Sequence, residues 1–272
     1  MIQKNTSTYP ILGIISIILG LSIVSLSFLW APFAHASTTS SPEAIYIWSS
    51  AQKTYGADYI TQYLVKNKIT TAIISLTDSS KSVFKKLLTS LPKKGKHIEA
   101  LFGDNHLLTE ENPEAYFDTL FDEVNTSKIS AMHLDIEPRA HSAFPDYYDR
   151  PEYYDDLYIE LLRATKEYAH NHGMELSVDI PVSYGPDMLE KIYEQADHVY
   201  VMAYEIQSMN YLKSKVQDEM NQDKSETVIA FRVDDFENQK ELTSYFKNAS
   251  QKLNTTHFAL HDFGRIVKLP KK

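Results

Sequence analysis

The chain has 272 residues, 43% of them hydrophobic, and no cysteine, so it can bury a full core without disulfides, and neither thiol redox chemistry nor a thiolate metal site is open to it. Eighteen Tyr and twelve Phe against eight Gly suit a folded globular domain and exclude a fibrous or disordered chain. With residues 1–36 set apart, 26 basic residues face 36 acidic ones, a net charge of −10, which excludes nucleic acid as a partner because phosphate binding needs a basic field.

Lys4 is the only charge in residues 1–36, the run 11–30 is apolar apart from a few Ser and Gly, and "AHAS" puts small residues at Ala34 and Ala36. This reads as a signal peptide cleaved after Ala36. The run also matches the ~20 residues of a spanning helix, so an uncleaved N-terminal membrane anchor through residues 11–30 is the alternative. Both readings place the remainder outside the cytoplasm, secreted or membrane-anchored, and a cysteine-free exported chain fits a Gram-positive-type bacterial cell surface. A linker over 37–43 then leads into a domain over 44–272.

In that domain strand-like and helix-like runs alternate. "AIYIWSS" (44–50) precedes "ADYITQYLVKNK", "TTAIISL" (70–76) precedes "SSKSVFKKLLTSL", and "HIEALFG" (97–103) precedes "NPEAYFDTLFDEVN". "ISAMHLDIE" (129–137) precedes a long loop and a helix ending at Gly173, where a left-handed glycine closes helices well. "MELSVDIPV" (174–182), "DHVYVMAYE" (197–205) and "TVIAFRV" (227–233) are each followed by a helix, and "HFALHDF" (257–263) leads only to a short tail. Strands alternating with helices pair in parallel, and eight such units predict an α/β fold, a closed (β/α)8 TIM barrel with its last helix short or missing. A doubly wound open sheet is the runner-up, but no Gly-rich phosphate loop follows the first strand, and the sequence calls for no cofactor.

In such a barrel functional groups gather at the C-terminal ends of the strands, and alternation decides which side chains face the axis. On the fourth strand Met132, Leu134 and Ile136 face the helices while His133, Asp135 and Glu137 climb the interior. On the fifth, Leu176, Val178 and Ile180 go out and Ser177 and Asp179 go in. The sixth directs Tyr200, Met202 and Tyr204 inward, the seventh Arg232 and Asp234, and the eighth His261. Arg232 is expected to pair with Asp234 or Asp179, since an unpaired buried charge is costly. The loop after the third strand brings Asp104, Asn105 and His106 to the same mouth. The loop after the fourth adds Phe144, Tyr147, Tyr148, Tyr153 and Tyr154, about half of them expected to pack inside and the rest to form a sugar-stacking wall.

"HLDIE" on the fourth strand and "YVMAYE" on the sixth resemble the glycoside hydrolase family 18 (chitinase-type) barrel, whose fourth strand carries DxxDxDxE and whose sixth carries MxYD or MxYN. The resemblance implies that Glu137 is the general acid/base, Asp135 the acid that orients the substrate N-acetyl group, and Tyr204, beside Met202, its contact. Four departures accompany it. Ser130 and His133 stand where the first two aspartates belong, Glu205 replaces the Asp or Asn, and the eighth strand has no tryptophan.

The chemistry also stands on its own terms, because a like charge two residues away on one strand face raises the pKa of an acid toward neutrality. A substrate N-acetyl carbonyl can serve as nucleophile; without one, Asp179, Glu205 or Asp234 must supply the second carboxylate. The expected function is therefore an exported glycosidase acting on a polysaccharide or amino-sugar glycan. The alternatives are a non-catalytic carbohydrate-binding barrel and a metal-dependent deacetylase or phosphodiesterase using His133, Asp135, His261 and Asp262, although no His-x3-His or HExxH spacing supports a metal.

Overall fold

The computed structural model describes residues 42–139, 143–182, 184–222 and 227–272. The predicted leader and its apolar run lie outside the described residues, as do positions 37–41 of the linker. Among the described residues no helix is long and apolar enough to cross a membrane.

Eight parallel strands close into one barrel in sequence order: β1 (Ala44–Ile47), β2 (Thr71–Ser75), β3 (His97–Phe102), β4 (Ala131–Leu134), β5 (Glu175–Pro181), β6 (His198–Met202), β7 (Thr227–Arg232) and β8 (Phe258–His261). The expected alternation holds. Met132, Leu134, Ile136, Leu176, Val178, Ile180, Val199, Val201, Ile229 and Phe231 all join the core between strands and helices. A second, smaller cluster fills the barrel itself, with Tyr46, Ile73, Leu101, Tyr200, Val228 and Ala259 among its members.

The helices between the strands are α1 (Ser49–Lys66), α2 (Lys81–Ser90), α3 (Pro113–Phe121), α4 (Pro151–Asn171), α5 (Pro186–Gln195), α6 (Met209–Lys215), α7 (Gln217–Gln222) and α8 (Gln239–Leu253). Where their sequences carry start signals, the structure uses them: Pro113, Pro151 and Pro186 open helices, and the Asn112 and Asn238 side chains accept from the backbone N–H of Ala115 and Glu241 at 3.1 and 3.0 Å. The last helix, α9 (Phe263–Ile266), is a single turn. The tail beyond it is held to the start of α8, where the Gln239 backbone N–H donates to Pro270 O at 2.7 Å and its side-chain amide to Leu269 O at 3.2 Å. A pinned tail thus follows α9 in place of a full eighth helix.

The predicted strand over 129–137 is shortened to Ala131–Leu134, although Asp135 N–H still donates to Phe102 O at 2.9 Å. Asp135 and Glu137 therefore stand just above the ladder. The chain leaves β7 at Arg232 and enters a 3-10 turn over Val233–Asp235, which breaks the alternation there. Gly173, past the end of α4, has φ +73°. Gly173→Ala is expected to destabilise the fold by about 1–2 kcal/mol, the cost of a left-handed L-residue, read as a lower urea midpoint with unchanged slope.

Candidate functional site

The axis of the barrel carries a chain of five side chains from five strands. β4 places His133, fully buried, with Nδ1 2.8 Å from Glu99 Oε2 of β3 and Nε2 3.0 Å from Asp179 Oδ2 of β5. Tyr200 of β6 donates its hydroxyl to Glu99 Oε1 at 2.9 Å, and Tyr46 of β1 donates its own to Asp179 Oδ1. Both tyrosine rings stand edge-on to the imidazole, with centroids 5.4 and 4.7 Å away. Burial alone would lower the His133 pKa, but the facing carboxylates of Asp179 and Glu99 outweigh it and raise it to about 10. Burial likewise works against the Glu99 carboxylate, and the His133 hydrogen bond and charge overcome it, holding Glu99 below the ordinary glutamate range.

Above this layer stand Asp135 and Glu137. Asp135 Oδ1 is buried with no hydrogen-bond partner, and burial, followed by the charges of Asp179 and Glu137, pushes the carboxyl well above its usual pKa. Glu137 is exposed at the mouth, and its pKa is raised by partial burial and then by Asp179. Asn105, from the loop after β3, fixes the backbone here by accepting Glu137 N–H at 2.7 Å. Tyr204 follows β6 with its hydroxyl pKa driven well up by burial and by Asp179, Asp135 and Glu137. Met202, at the end of β6, is half-buried between Pro181 and Ala230 in register.

The remaining predicted residues divide. His261 reaches the mouth, where Trp48 Nε1–H donates to its Nε2 at 2.9 Å and the rings of Tyr46 and Tyr204 lie 5.3 and 5.7 Å from its own. Arg232 is not paired with Asp234 or Asp179. Its guanidinium binds Asp235 at 2.8 and 3.0 Å and Glu205 at 2.7 Å, because the turn after β7 brings Asp235 back under it. Asp234 is turned outward, exposed, 3.4 Å from Arg265. Glu205, exposed at φ +60°, is thus tied to Arg232. Asp104 is an exposed turn residue whose carboxylate accepts His106 N–H at 3.1 Å.

Two clefts open at the mouth, one of them along Glu137. One, of about 580 Å³, runs over the ends of β4 and β5 along Glu137, Arg139, Tyr147, Tyr148 and Tyr184, with the Arg139 guanidinium 4.2 Å from the Tyr184 ring centroid. The other, of about 510 Å³, lies over β1 to β3 and is lined by Trp48, Asp104 and Tyr116 among others. Of the five loop aromatics, Phe144, Tyr147 and Tyr154 are buried, while Tyr148 and Tyr153 are 72% and 48% exposed, close to the even division expected.

Sequence reasoning missed Glu99, Tyr46 and Trp48. Each has a signal in the same alternation: Ile98, Ala100 and Phe102 face out around Glu99, and Ile45 and Ile47 face out around Tyr46. Trp48 stands on the first strand's end rather than the eighth, and its ring lies where a Cβ on Gly103 would meet it at 3.2 Å, so the glycine leaves room for the indole.

No protein-family model matches the chain and no curated protein matches it in sequence. Its fold does match solved structures. The endo-beta-N-acetylglucosaminidase of Cordyceps militaris superposes with a TM-score of 0.57 at 13% identity, over 83% of this chain and 82% of that one. The PgaB (BpsB) glycoside hydrolase domain of Bordetella bronchiseptica does so at 0.55 and 8% identity, over 84% and 96%. The Ostrinia furnacalis Group II chitinase catalytic domain 2, a mutant in complex with penta-N-acetylchitooctaose, does so at 0.51 and 13%, over 71% and 64%; this chain thus spans less than two thirds of that domain. This is the barrel fold that glycoside hydrolases use. Sequence identity this low carries the fold and nothing finer.

The Trp48 to His261 hydrogen bond requires a neutral imidazole, and burial holds the His261 pKa below its usual 6.5. A depressed histidine contributes stability above the unfolded value and loses it as pH falls through the folded one. Acidification is therefore expected to shift Trp48 fluorescence with a midpoint below 6.5, with Trp48→Phe supplying the background of Trp30. His261→Gln, which keeps an acceptor, abolishes the titration.

Proposed function

We propose that this chain is an exported glycoside hydrolase that cleaves a polysaccharide containing N-acetylated amino sugars, with Glu137 as general acid and base, Asp135 orienting the N-acetyl group and Tyr204 contacting it. The observation that carries the reading is the vertical pair at the mouth: a buried carboxyl with an unpartnered oxygen beneath an exposed one, both with raised pKa. An isolated polar atom left unpaired in a dry site costs about 1–3 kcal/mol, and a substrate amide is a fitting partner for it. The names of the structural neighbours, a chitinase and an endo-beta-N-acetylglucosaminidase, point to the same substrate class.

Substrate assistance is favoured because each candidate for a second carboxylate is engaged elsewhere. Asp179 accepts from His133 and Tyr46, Glu205 is tied to Arg232, and Asp234 faces outward beside Arg265. In the proposed first step the Glu137 proton passes to the leaving glycosidic oxygen as the bond to the anomeric carbon breaks. The acetamido carbonyl oxygen forms the new bond to that carbon, and Asp135 accepts from the amide N–H as the ring closes. Water then opens the ring, giving its proton to Glu137, which restores the acid.

The metal-dependent alternative is disfavoured because its ligands are spoken for: both His133 nitrogens face carboxylates, and His261 Nε2 accepts from Trp48. Location at the cell surface, secreted or anchored, rests on the apolar run over 11–30.

Glu137→Gln is expected to reduce hydrolysis of N-acetylchitooligosaccharides and related amino-sugar glycans by about 10²–10⁴-fold, the worth of a general acid, with fold and glycan binding retained. Unchanged turnover would overturn the assignment, and wild-type binding without turnover on any bound glycan would make the protein a binding barrel. Tyr148→Ala, which removes an exposed ring beside Glu137, is expected to raise KM about 2- to 10-fold, equivalent to an aromatic contact of ~0.5–1.5 kcal/mol, with kcat unchanged.

A further inference from the structure

The chemistry proposed for Asp135 and Glu137 does not by itself call for a histidine below them, and the surroundings of His133 specify what that ring is. A neutral imidazole has one N–H and one lone pair. Here both ring nitrogens face carboxylate oxygens at 2.8 and 3.0 Å in a fully buried setting, so a neutral ring would set its lone pair against that of a carboxylate. The four oxygens of Glu99 and Asp179 receive one donor each, from Tyr200, His133 on either side, and Tyr46. With both carboxyls ionised, only a doubly protonated ring completes that pattern; a neutral ring would need one of the two acids to carry the proton.

We infer that His133 is a permanent imidazolium that sets the electrostatics of the mouth from beneath, and that Glu99, on the third strand and remote from any bound glycan, is the positioning residue that keeps it charged. The inference deepens the proposed function, since it takes Asp135 and Glu137 as the reacting pair. Glu99 and Asp179 are two buried anions and His133 one cation, so the axis is left with one net negative charge under Asp135. That charge favours the proton staying on Asp135, and it does so at a fixed strength only while His133 cannot titrate. The groups facing His133 are Glu99 from β3, Asp179 from β5, Tyr46 from β1, Tyr200 from β6 and Asp135 from its own strand. Glu43 and His198 act on Glu99 from the N-terminal end of the barrel, where Glu99 lines a cavity of about 310 Å³.

The test is ring-nitrogen NMR on the full chain with labelled histidine, His133 being assigned by its loss in His133→Asn. In the wild type both His133 nitrogens are expected to remain protonated from about pH 5.5 to 9, beyond the range of an ordinary histidine. In Glu99→Gln the ring is expected to begin to titrate between about pH 7 and 9. The hydrolysis pH profile of Glu99→Gln is expected to carry, besides the basic limb that loss of the Glu137 proton gives the wild type, a further inflection where His133 titrates, which a purely structural role would not produce. Tyr200→Phe keeps the ring and removes one donor from Glu99, so it gives a smaller shift in the same direction and serves if Glu99→Gln does not fold. A neutral His133 in the wild type at pH 7 overturns the inference, as does a ring unmoved in the folded variants. The NMR needs no substrate: an intact imidazolium in a protein that cleaves no glycan removes the proposed function alone, and turnover with a neutral His133 removes this inference alone.

Discussion

The interaction on which the rest depends is the buried cation between two anions at the centre of the barrel. Taking each ion out of water costs several kcal/mol, and only good geometry with every remaining donor and acceptor satisfied repays it. The two tyrosines complete that condition, since Tyr46 and Tyr200 supply the two donors that His133 cannot. Because the five groups come from β1, β3, β4, β5 and β6, the network also ties together strands that do not pair directly. Removing His133 would leave two carboxylates without their cation in a dry interior, at about 3–5 kcal/mol. Most barrels of this architecture fill the same volume with branched apolar layers; this one spends it on polar groups, and the layer immediately above inherits the resulting field.

That inheritance explains the mouth. Asp135 sits between the anionic axis below and Glu137 above, with its Oδ1 buried, and its pKa rises accordingly. Glu137 is farther from the axis and wetter, so burial and Asp179 raise its pKa while leaving the group open to solvent. Two carboxyls two residues apart thereby receive different environments, which is the condition for giving them different roles. Arg232 contributes little to this balance, because Asp235 and Glu205 hold it.

The barrel was legible in the sequence because its signal is repeated: eight apolar runs, each alternating with a helical segment, leave few other ways to bury the same residues. The inward face of the fourth strand was legible for the same reason, since Met132, Leu134 and Ile136 fix the opposite face. Asp234 was misplaced because alternation stops where the strand stops, and the turn at Val233 is a hydrogen-bonding choice made by the backbone. Glu99 went unread although "HIEALF" carries a lone acid inside an apolar strand. Its meaning depends on a histidine 34 positions later, which only closure of the sheet brings within 2.8 Å. Trp48 illustrates the same limit, since its partners Gly103 and His261 come from strands on either side of it in the barrel.

The departures from the chitinase-type pattern gain a physical sense from this network. Replacing a buried acid by His133 changes the local charge by as much as two units, which a dry interior cannot absorb unless anions are supplied; Glu99 and Asp179 supply them. Asp135 Oδ1 still lacks a partner, although an apolar side chain of similar size would fill that position without the penalty. That cost stands at the mouth, directly above an axis in which both His133 nitrogens and all four oxygens of Glu99 and Asp179 are hydrogen-bonded.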